Sequence, residues 1–389
     1  MNVALFGGTF NPPHVGHVSA ARACVASLAL DRLIFMPAGI PPHKALPEHS
    51  ATPRQRYEMT CLAARDVPGA VVSDLELRRE GTSYTADTVL ALRARYPADE
   101  LWLVVGTDML QSFERWSRPE VIARECSLAV VARDERPRCE LEEAAQHLRT
   151  RFGAHVTLID AAPVPASSTE VRAGLGYTLV SPAVADYIAF YGLYRDYDLP
   201  AFRQYARAHM SACRYAHTAG CEEMCAELAR IHGAHEQIAR ICAVVHDVTR
   251  EQDERQQLQL LSKYDIINGY HKASSALLHA QTGAAVARHE LQLPPVVIQA
   301  VERHTLGAPD MNEIDMILFV ADMVEPTRDF PGVEPLRMLA RRDLRSAVLA
   351  CMESTFRHLR AQGRTPHPRS LAAYEAIRQQ PPTIQEAEI

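Results

Sequence analysis

What the chain lacks narrows its class first. No uninterrupted apolar run in its 389 residues approaches the roughly 18 that a membrane span requires, so no transmembrane segment and no membrane partner are expected. A basic excess is missing too: 41 Lys and Arg stand against 47 Asp and Glu, a formal net charge of −6. That balance argues against a broad face for nucleic acid, while local sites for small anions stay open. The opening MNVALFGG has neither a basic n-region nor a long apolar core, so the expectation is a cytoplasmic chain without a secretion signal. Nine cysteines include no CxxC pair, and the nearest two, Cys221 and Cys225, lie four apart on an expected helix. They read as reduced thiols that mostly fill cores. Internal repeats and low-complexity tracts are absent, and only the tail QQPPTIQEAEI is expected to fray.

What is present changes texture near residue 195. Before it, short apolar runs (NVALFGG, DRLIFMPAG, ELWLVVGTD, CSLAVVARD, AHVTLIDA) alternate with helical stretches at 17–29, 53–66, 84–95 and 140–151. That rhythm predicts an α/β, Rossmann-like, doubly wound parallel sheet. After YRDYDLP (194–200) strand signals vanish, and apolar residues recur at helical spacing over 202–217, 220–231, 235–247, 273–290, 294–304 and 334–361. Two domains are expected, an α/β domain over 1–196 and an all-α domain over 198–389.

The first strand runs into GGTFNPPHVGH, residues 7–17. Gly7 and Gly8 allow the backbone to turn and approach a ligand, and a helix starting near Val15 offers its N-terminus to phosphate. His14 and His17, three apart, share one face of the first turn, where both imidazoles can reach one phosphate group. A second expected helix N-terminus follows PASSTEVR (165–172), where the hydroxyls of Ser167, Ser168 and Thr169 cap while Arg172 lies one turn inside.

GxFxPxHxGH after an N-terminal strand resembles the HxGH nucleotidylyltransferases. Four further segments, PPHK (41–44), LELRREGTSYTADTVLAL (75–92), VVGTDMLQSFERW (104–116) and PASSTEVR, narrow the resemblance to the bacterial nicotinate mononucleotide adenylyltransferases over essentially all of 1–195. Ala166 and Val171 stand where that family usually has isoleucine, and both are apolar packing positions. The resemblance implies transfer of AMP from ATP to nicotinate mononucleotide, giving deamido-NAD and pyrophosphate, with Mg²⁺ arriving on ATP and no covalent enzyme intermediate. It implies ATP contacts from Gly7, Gly8, Thr9, Phe10, His14, His17, Asp108, Ser167, Ser168, Thr169 and Arg172, of which His14, His17 and Arg172 act on the transferring phosphate. Lys44, Tyr84, Thr85 and Trp116 would receive nicotinate mononucleotide, the ring against Trp116 and the carboxylate near Thr85. A class I synthetase is disfavoured because no KMSKS-like loop appears, and phosphopantetheine adenylyltransferase because of the SYT segment with Trp116.

In the second half, AVVHDVTRE (243–251) ends an apolar run with His246 and Asp247 side by side. Consecutive helix residues point about 100° apart, so a metal bound by both would sit between their directions, leaving the carboxylate free to bridge to a second ion. His217, His279, His304 and Asp322 recur in other apolar helical stretches. Four histidines and two aspartates suit two borderline divalent ions, Fe²⁺ or Mn²⁺, and exclude a thiolate-rich zinc site. The order H…HD…H…H…D over 198–380 resembles the HD-domain metallohydrolases. LLHA, ERHT and ADMVEPTRDFPGVEPLR narrow this to the bacterial HD enzymes that cleave diadenosine tetraphosphate symmetrically into two ADP. That resemblance implies one ion on His217, His246, Asp247 and Asp322, another on Asp247, His279 and His304, and phosphate contacts from Arg250 and Arg328. Two alternatives stay open for this half: another nucleotide phosphohydrolase, or a non-catalytic module that senses a nucleotide.

Overall fold

The structure is a computed structural model that describes residues 1–389 except 42–44, 133–136, 163, 175, 267–274 and 381–389. Its described residues divide into two compact units, the first from Met1 to Tyr187 and the second from Ile188 to Gln380. The packing thus gives the second unit residues upstream of the 196–198 boundary expected from texture, because Phe190 and Tyr191 rest against its core.

The first unit runs β1 (Asn2–Gly8), α1 (Val15–Ser27), β2 (Arg32–Pro37), α2 (Pro53–Ala64), β3 (Ala70–Val72), α3 (Thr85–Arg95), β4 (Glu100–Gly106), α4 (Thr107–Ser112), α5 (Pro119–Glu125), β5 (Ser127–Val131), α6 (Arg138–Phe152), β6 (Val156–Ile159), α7 (Ser168–Arg172) and the start of α8 (Pro182–Tyr191). Six strands form one sheet in the order β3-β2-β1-β4-β5-β6, with every pairing parallel. Alternation explains why both faces are covered. Val3 and Leu5 of β1, Ile34 and Met36 of β2, and Leu103 and Val105 of β4 enter one core beneath α3 to α6. Their neighbours Ala4, Phe6, Leu33, Phe35, Trp102 and Val104 enter the other, beneath α1 and α2. Successive strand residues point to opposite faces, so an unbroken apolar run signals a strand buried on both. The strand order reverses between β1 and β4, and in such sheets ligands bind at the carboxyl ends beside that switch. The loop 9–14 leaves β1 there, and α4 begins there directly after β4. The three-residue edge strand β3 carried no sequence signal.

The second unit is helical among its described residues: α9 (Leu199–His209), α10 (Ala212–His232), α11 (Glu236–Val245), α12 (Glu254–Lys263), α13 (Ser275–His289), α14 (Pro295–Arg303), α15 (Glu313–Val324), α16 (Val333–Arg342), α17 (Leu344–Ala361) and α18 (Pro368–Gln379). One core joins α10, α11, α14, α15 and α17 through residues such as Leu228, Ile241, Val301, Leu318 and Val348. Two helix boundaries expected from periodicity are corrected by caps. The break near 218 does not occur. Instead Ser211 caps α10, accepting from the Arg214 N–H at 3.2 Å, and the helix runs on through Gly220. The single helix over 334–361 is divided by Asp343, whose side chain accepts from the Ser346 N–H at 3.0 Å and starts α17. Short polar side chains that bond the N3 amide end one helix and begin the next, which apolar spacing alone does not reveal. Among the described residues no helix is long and apolar enough to cross a membrane.

Leu103 is 2% exposed and belongs only to the first unit's core. Leu103→Ala should therefore destabilise that unit by about 2–5 kcal/mol, read in thermal denaturation as an earlier first-unit transition with the second unit's transition unmoved.

Candidate nucleotide and metal sites

In the first unit the loop after β1 is held by two other helices, α7 and α2. Ser168 donates from its hydroxyl to the Pro12 carbonyl at 2.9 Å, and Arg172 Nη1 donates to the Asn11 carbonyl at 2.6 Å while its Nη2 reaches Thr169 Oγ1 at 3.1 Å. Ser167 caps α7 in a reciprocal box with Glu170. Arg56, fully buried on α2, donates to the carbonyls of Thr9 at 2.8 Å and Gly39 at 3.2 Å. Nothing in the sequence singled it out, since a lone arginine on a helix reads as a surface residue. His14 caps α1 and its N–H donates to His17 Nδ1 at 3.2 Å, leaving the two rings 3.8 Å apart between centroids. Both imidazoles are buried to within a tenth of their surface. Gly16 keeps the space between them open: a Cβ there would lie 3.0 Å from His14 Nδ1, tighter than ordinary contact. Gly8 likewise leaves room for the Phe10 ring, which a Cβ would meet at 2.9 Å. Phe10 is 1% exposed and its ring sits edge-on to His17, so that ring is packing and not a ligand surface. A cleft of about 190 Å³ opens beside this loop, lined by His14, Gly16, Ala132, Pro165, Ser167 and Glu170. The His14 ring and the starts of α1 and α7 border this cleft, with the Glu170 carboxylate on the same wall.

The expected acceptor groups lie around the start of α3. Tyr84 precedes that helix and is 40% exposed, and Thr85 is its first residue. Arg118 pairs with Asp87 in the first turn of α3, which brings the turn after Trp116 to the same helix start. Trp116 is half-buried, 5.5 Å from the Phe113 ring, with its N–H toward Ser112 Oγ at 3.4 Å. Asp108 is exposed in the first turn of α4. Lys44 lies outside the described residues, although Ile40 before it pairs with Thr82 in a parallel bridge. Glu76 is buried against Thr88, and burial raises its carboxyl above the usual range while the Thr88 hydroxyl at 2.7 Å opposes that shift.

In the second unit, six side chains from five segments converge. His246 and His304 are the C-cap residues of α11 and α14. Each donates from Nδ1 to a carbonyl three residues back, Ala243 at 2.7 Å and Val301 at 2.6 Å, which fixes Nε2 as the inward atom. Asp247 is 4% exposed, and its two oxygens face different partners. Oδ2 lies 3.4 Å from His246 Nε2 and 3.9 Å from His217 Nε2, whereas Oδ1 lies 3.3 Å from His279 Nε2 and 3.9 Å from His304 Nε2. Asp322 Oδ1 is 3.1 Å from His217 Nε2 and 4.0 Å from His246 Nε2. All six residues named from the sequence therefore meet around one carboxylate.

The electrostatics suit a cation. Burial opposes ionisation of Asp247, yet His246 and then His304 and His279 hold it well below the usual carboxylate range. Asp322 is held low in the same way by His217 and His246 against its own burial. Burial, then His304, pushes His279 down to about 3, and burial with His246 lowers His304, so both stay neutral. Burial would lower His246 too, but Asp247 and Asp322 override it and push it up to about 9. Two carboxylates stay charged beside two neutral imidazoles, a donor set with lone pairs available to a metal.

Several functional residues here were not legible in the sequence. Arg214 donates to Asp247 Oδ2 at 3.0 Å. With Arg250, whose Nη1 lies 3.2 Å from His279 Nδ1, and Arg328, which donates to Asp322 Oδ1 at 2.9 Å, it lines a cavity of about 470 Å³ over the two carboxylates. Phe319 and Phe330 add apolar wall to the same cavity. Glu325, 0% exposed, receives His217 Nδ1 at 3.1 Å. The Thr327 N–H at 2.6 Å and its hydroxyl at 2.5 Å keep Glu325 ionised against its burial. Gly220 makes that possible, since a Cβ there would strike Glu325 Oε2 at 2.3 Å.

Fold and sites together define a nucleotidyltransferase unit followed by an HD domain. The family model described as Cytidylyltransferase-like matches residues 5–174, and the HD domain model matches 214–327. Relatives include a "Probable nicotinate-nucleotide adenylyltransferase" of Neisseria meningitidis, 36% identical over 197 residues, 49% of this chain and 98% of the relative. Another with the same description, from Caldicellulosiruptor saccharolyticus, is 35% identical over 50% of this chain and 100% of its own length. Through its first half, the chain belongs to the nicotinate-nucleotide adenylyltransferase family. Solved structures with similarity include a "predicted HD superfamily hydrolase involved in NAD metabolism" from Clostridium acetobutylicum, 26% identical over 47% of this chain and 98% of that one, TM-score 0.45. The Plasmodium falciparum nicotinic acid mononucleotide adenylyltransferase is 18% identical over 50% and 96%, TM-score 0.39.

Glu325→Gln should weaken divalent-metal binding by about 10–100-fold, because His217 loses the anion that fixes its tautomer and raises its basicity. Calorimetric titration with Mn²⁺ checks this, and an unchanged affinity would detach Glu325 from the cluster's chemistry.

Proposed function

We propose that the chain is a bifunctional enzyme, joining AMP transfer from ATP to nicotinate mononucleotide with symmetric hydrolysis of diadenosine tetraphosphate. For the transfer, the nicotinate mononucleotide phosphate attacks the α-phosphorus of ATP, the bond to the β-phosphate breaks, and pyrophosphate leaves. The residues supply positioning and charge. His14 and His17 meet the α-phosphate, and the α7 N-terminus with Ser168, Thr169 and Arg172 receives the departing pyrophosphate. Arg172 also braces the Asn11 carbonyl, so one side chain couples the shape of the phosphate loop to the phosphates themselves. Trp116 stacks on the nicotinate ring, and Thr85 with its helix N-terminus takes the carboxylate.

For the hydrolysis, the observation that carries the reading is the division of Asp247 between two donor groups. His217, His246 and Asp322 with Oδ2 would hold one ion, and His279 and His304 with Oδ1 another, Fe²⁺ or Mn²⁺ by donor type. Bound there, such a pair supplies Lewis acidity and acidifies water at neutral pH. The protein's part is to orient the imidazoles through Ala243, Val301 and Glu325 and to line the cavity with three arginines. Guanidinium groups bind phosphate bidentately, so three of them over two carboxylates favour a substrate with several phosphates. Attack at a β-phosphorus, with ADP as leaving group, gives two ADP.

His17→Ala should reduce deamido-NAD formation by ~10²-fold or more while the fold survives, since it removes a group that stabilises charge mainly in the transition state. Near-normal turnover would sink the assignment. With diadenosine tetraphosphate in ¹⁸O-water, two ADP should form with one label between them, and Asp247→Ala should abolish this hydrolysis without touching adenylyl transfer. AMP plus ATP as dominant products would refute the symmetric reading.

A further inference from the structure

Cys221 follows His217 by four residues on α10, so both side chains lie on the same face of the helix, one turn apart. The thiol is fully buried, with Sγ 3.5 Å from His217 Nε2 and 3.8 Å from its Nδ1, and the Ala321 carbonyl more distant at 4.0 Å. Ligand atoms of His217, Cys221, His246 and Asp322 all lie within 4.8 Å of one another. With Asp247 Oδ2 as a fifth donor, an ion with N and O ligands at about 2.0–2.1 Å and sulfur at about 2.3 Å has edges between neighbouring ligands of roughly 2.9–3.7 Å. The edges His217–Asp322 at 3.1 Å and His217–Cys221 at 3.5 Å fall in that range, and His246–Asp322 at 4.0 Å lies just above it.

A second observation points to a ligand at the same place. His246 is 0% exposed, and its Nε2 has no hydrogen-bond partner among the described residues; Asp247 Oδ2 lies 3.4 Å away. Buried polar atoms are almost always satisfied, so one left over inside a donor cluster marks where a cation belongs. The Oδ1 side of Asp247 differs, for it offers the imidazoles of His279 and His304 and, among the described residues, no sulfur.

We propose that Cys221 is a ligand of the His217–His246–Asp322 position and makes that position select thiophilic divalent ions, the Fe²⁺, Co²⁺ and Zn²⁺ class, over Mn²⁺ and Mg²⁺. The inference rests on reading the second unit as a metal centre, and it makes the two positions chemically unequal. Thiolate is a soft donor and Mn²⁺ is the weakest binder of the transition ions named, so one sulfur among nitrogen and oxygen ligands separates them. The thiol proton is released to solvent when the ion binds, and an apolar side chain at 221 would leave an N/O position with a narrower preference.

The test uses the full-length chain stripped of metal and titrated with Co²⁺, with absorbance recording thiolate-to-cobalt charge transfer in the near ultraviolet. The band should appear in the native protein and persist when the exposed Cys139 and Cys213 are replaced by serine. It should vanish in Cys221→Val, and the preference for Co²⁺ over Mn²⁺ in competition should fall by at least about tenfold. Cys221→Ser, smaller and polar, gives the same readout should valine disturb folding, and Mn²⁺ binding retained in either variant shows an intact site. Co²⁺ bound without a charge-transfer band, or an undiminished preference in both variants, would overturn the proposal while leaving the metal centre standing. Failure of the native chain to bind Co²⁺ or Mn²⁺ at all would overturn the metal reading together with it.

Discussion

A carboxylate buried to 4% exposure and facing four imidazoles with its two oxygens is the constraint on which the second unit depends. An ionised aspartate inside an apolar bundle is costly unless it is paired on every side, and removing its partners would leave an uncompensated charge. The surrounding helices are arranged to meet that demand. α11 and α14 both end in a histidine whose Nδ1 is tied to its own last turn, and α10 and α15 deliver His217 and Asp322. Close packing of Ile241, Val301 and Leu318 in the same core holds these helix ends in place.

The first unit solves a different problem with comparable means. A phosphate loop has few side chains of its own to hold it, so its carbonyls are gripped from outside by Ser168, Arg172 and Arg56. The sheet supplies the platform. Its order reverses between β1 and β4, and the HxGH loop and the α4 start flank that reversal. Preorganisation of this kind lets a site stabilise a transferring phosphoryl group without forming a bond to it.

The architecture was readable because its signals are local. Unbroken apolar strand runs announce a sheet covered on both faces, and helical spacing after residue 200 announces a bundle. Caps were less readable, since Ser211 and Asp343 are ordinary polar residues until the N–H groups they accept from are seen. The metal-type residues were legible by chemistry and order: His217, His246, Asp247, His279, His304 and Asp322 converge as their types suggested. What surrounds them was not. Arg214, Cys221 and Glu325 acquire meaning only through partners 33, 4 and 108 positions away, or through the space that Gly220 leaves. Arg56 is the same lesson in the first unit, an arginine that nothing in the sequence singled out and that is 0% exposed.

The proposed hydrolysis requires Asp247 to serve two ions at once, and the spacing between those ions tests this most directly. Electron paramagnetic resonance of the metal-free chain saturated with Mn²⁺ should show an exchange-coupled pair, as expected for ions bridged at about 3.5–4 Å. A spectrum of isolated Mn²⁺ at saturation, whether from one ion or from two distant ones, would contradict it.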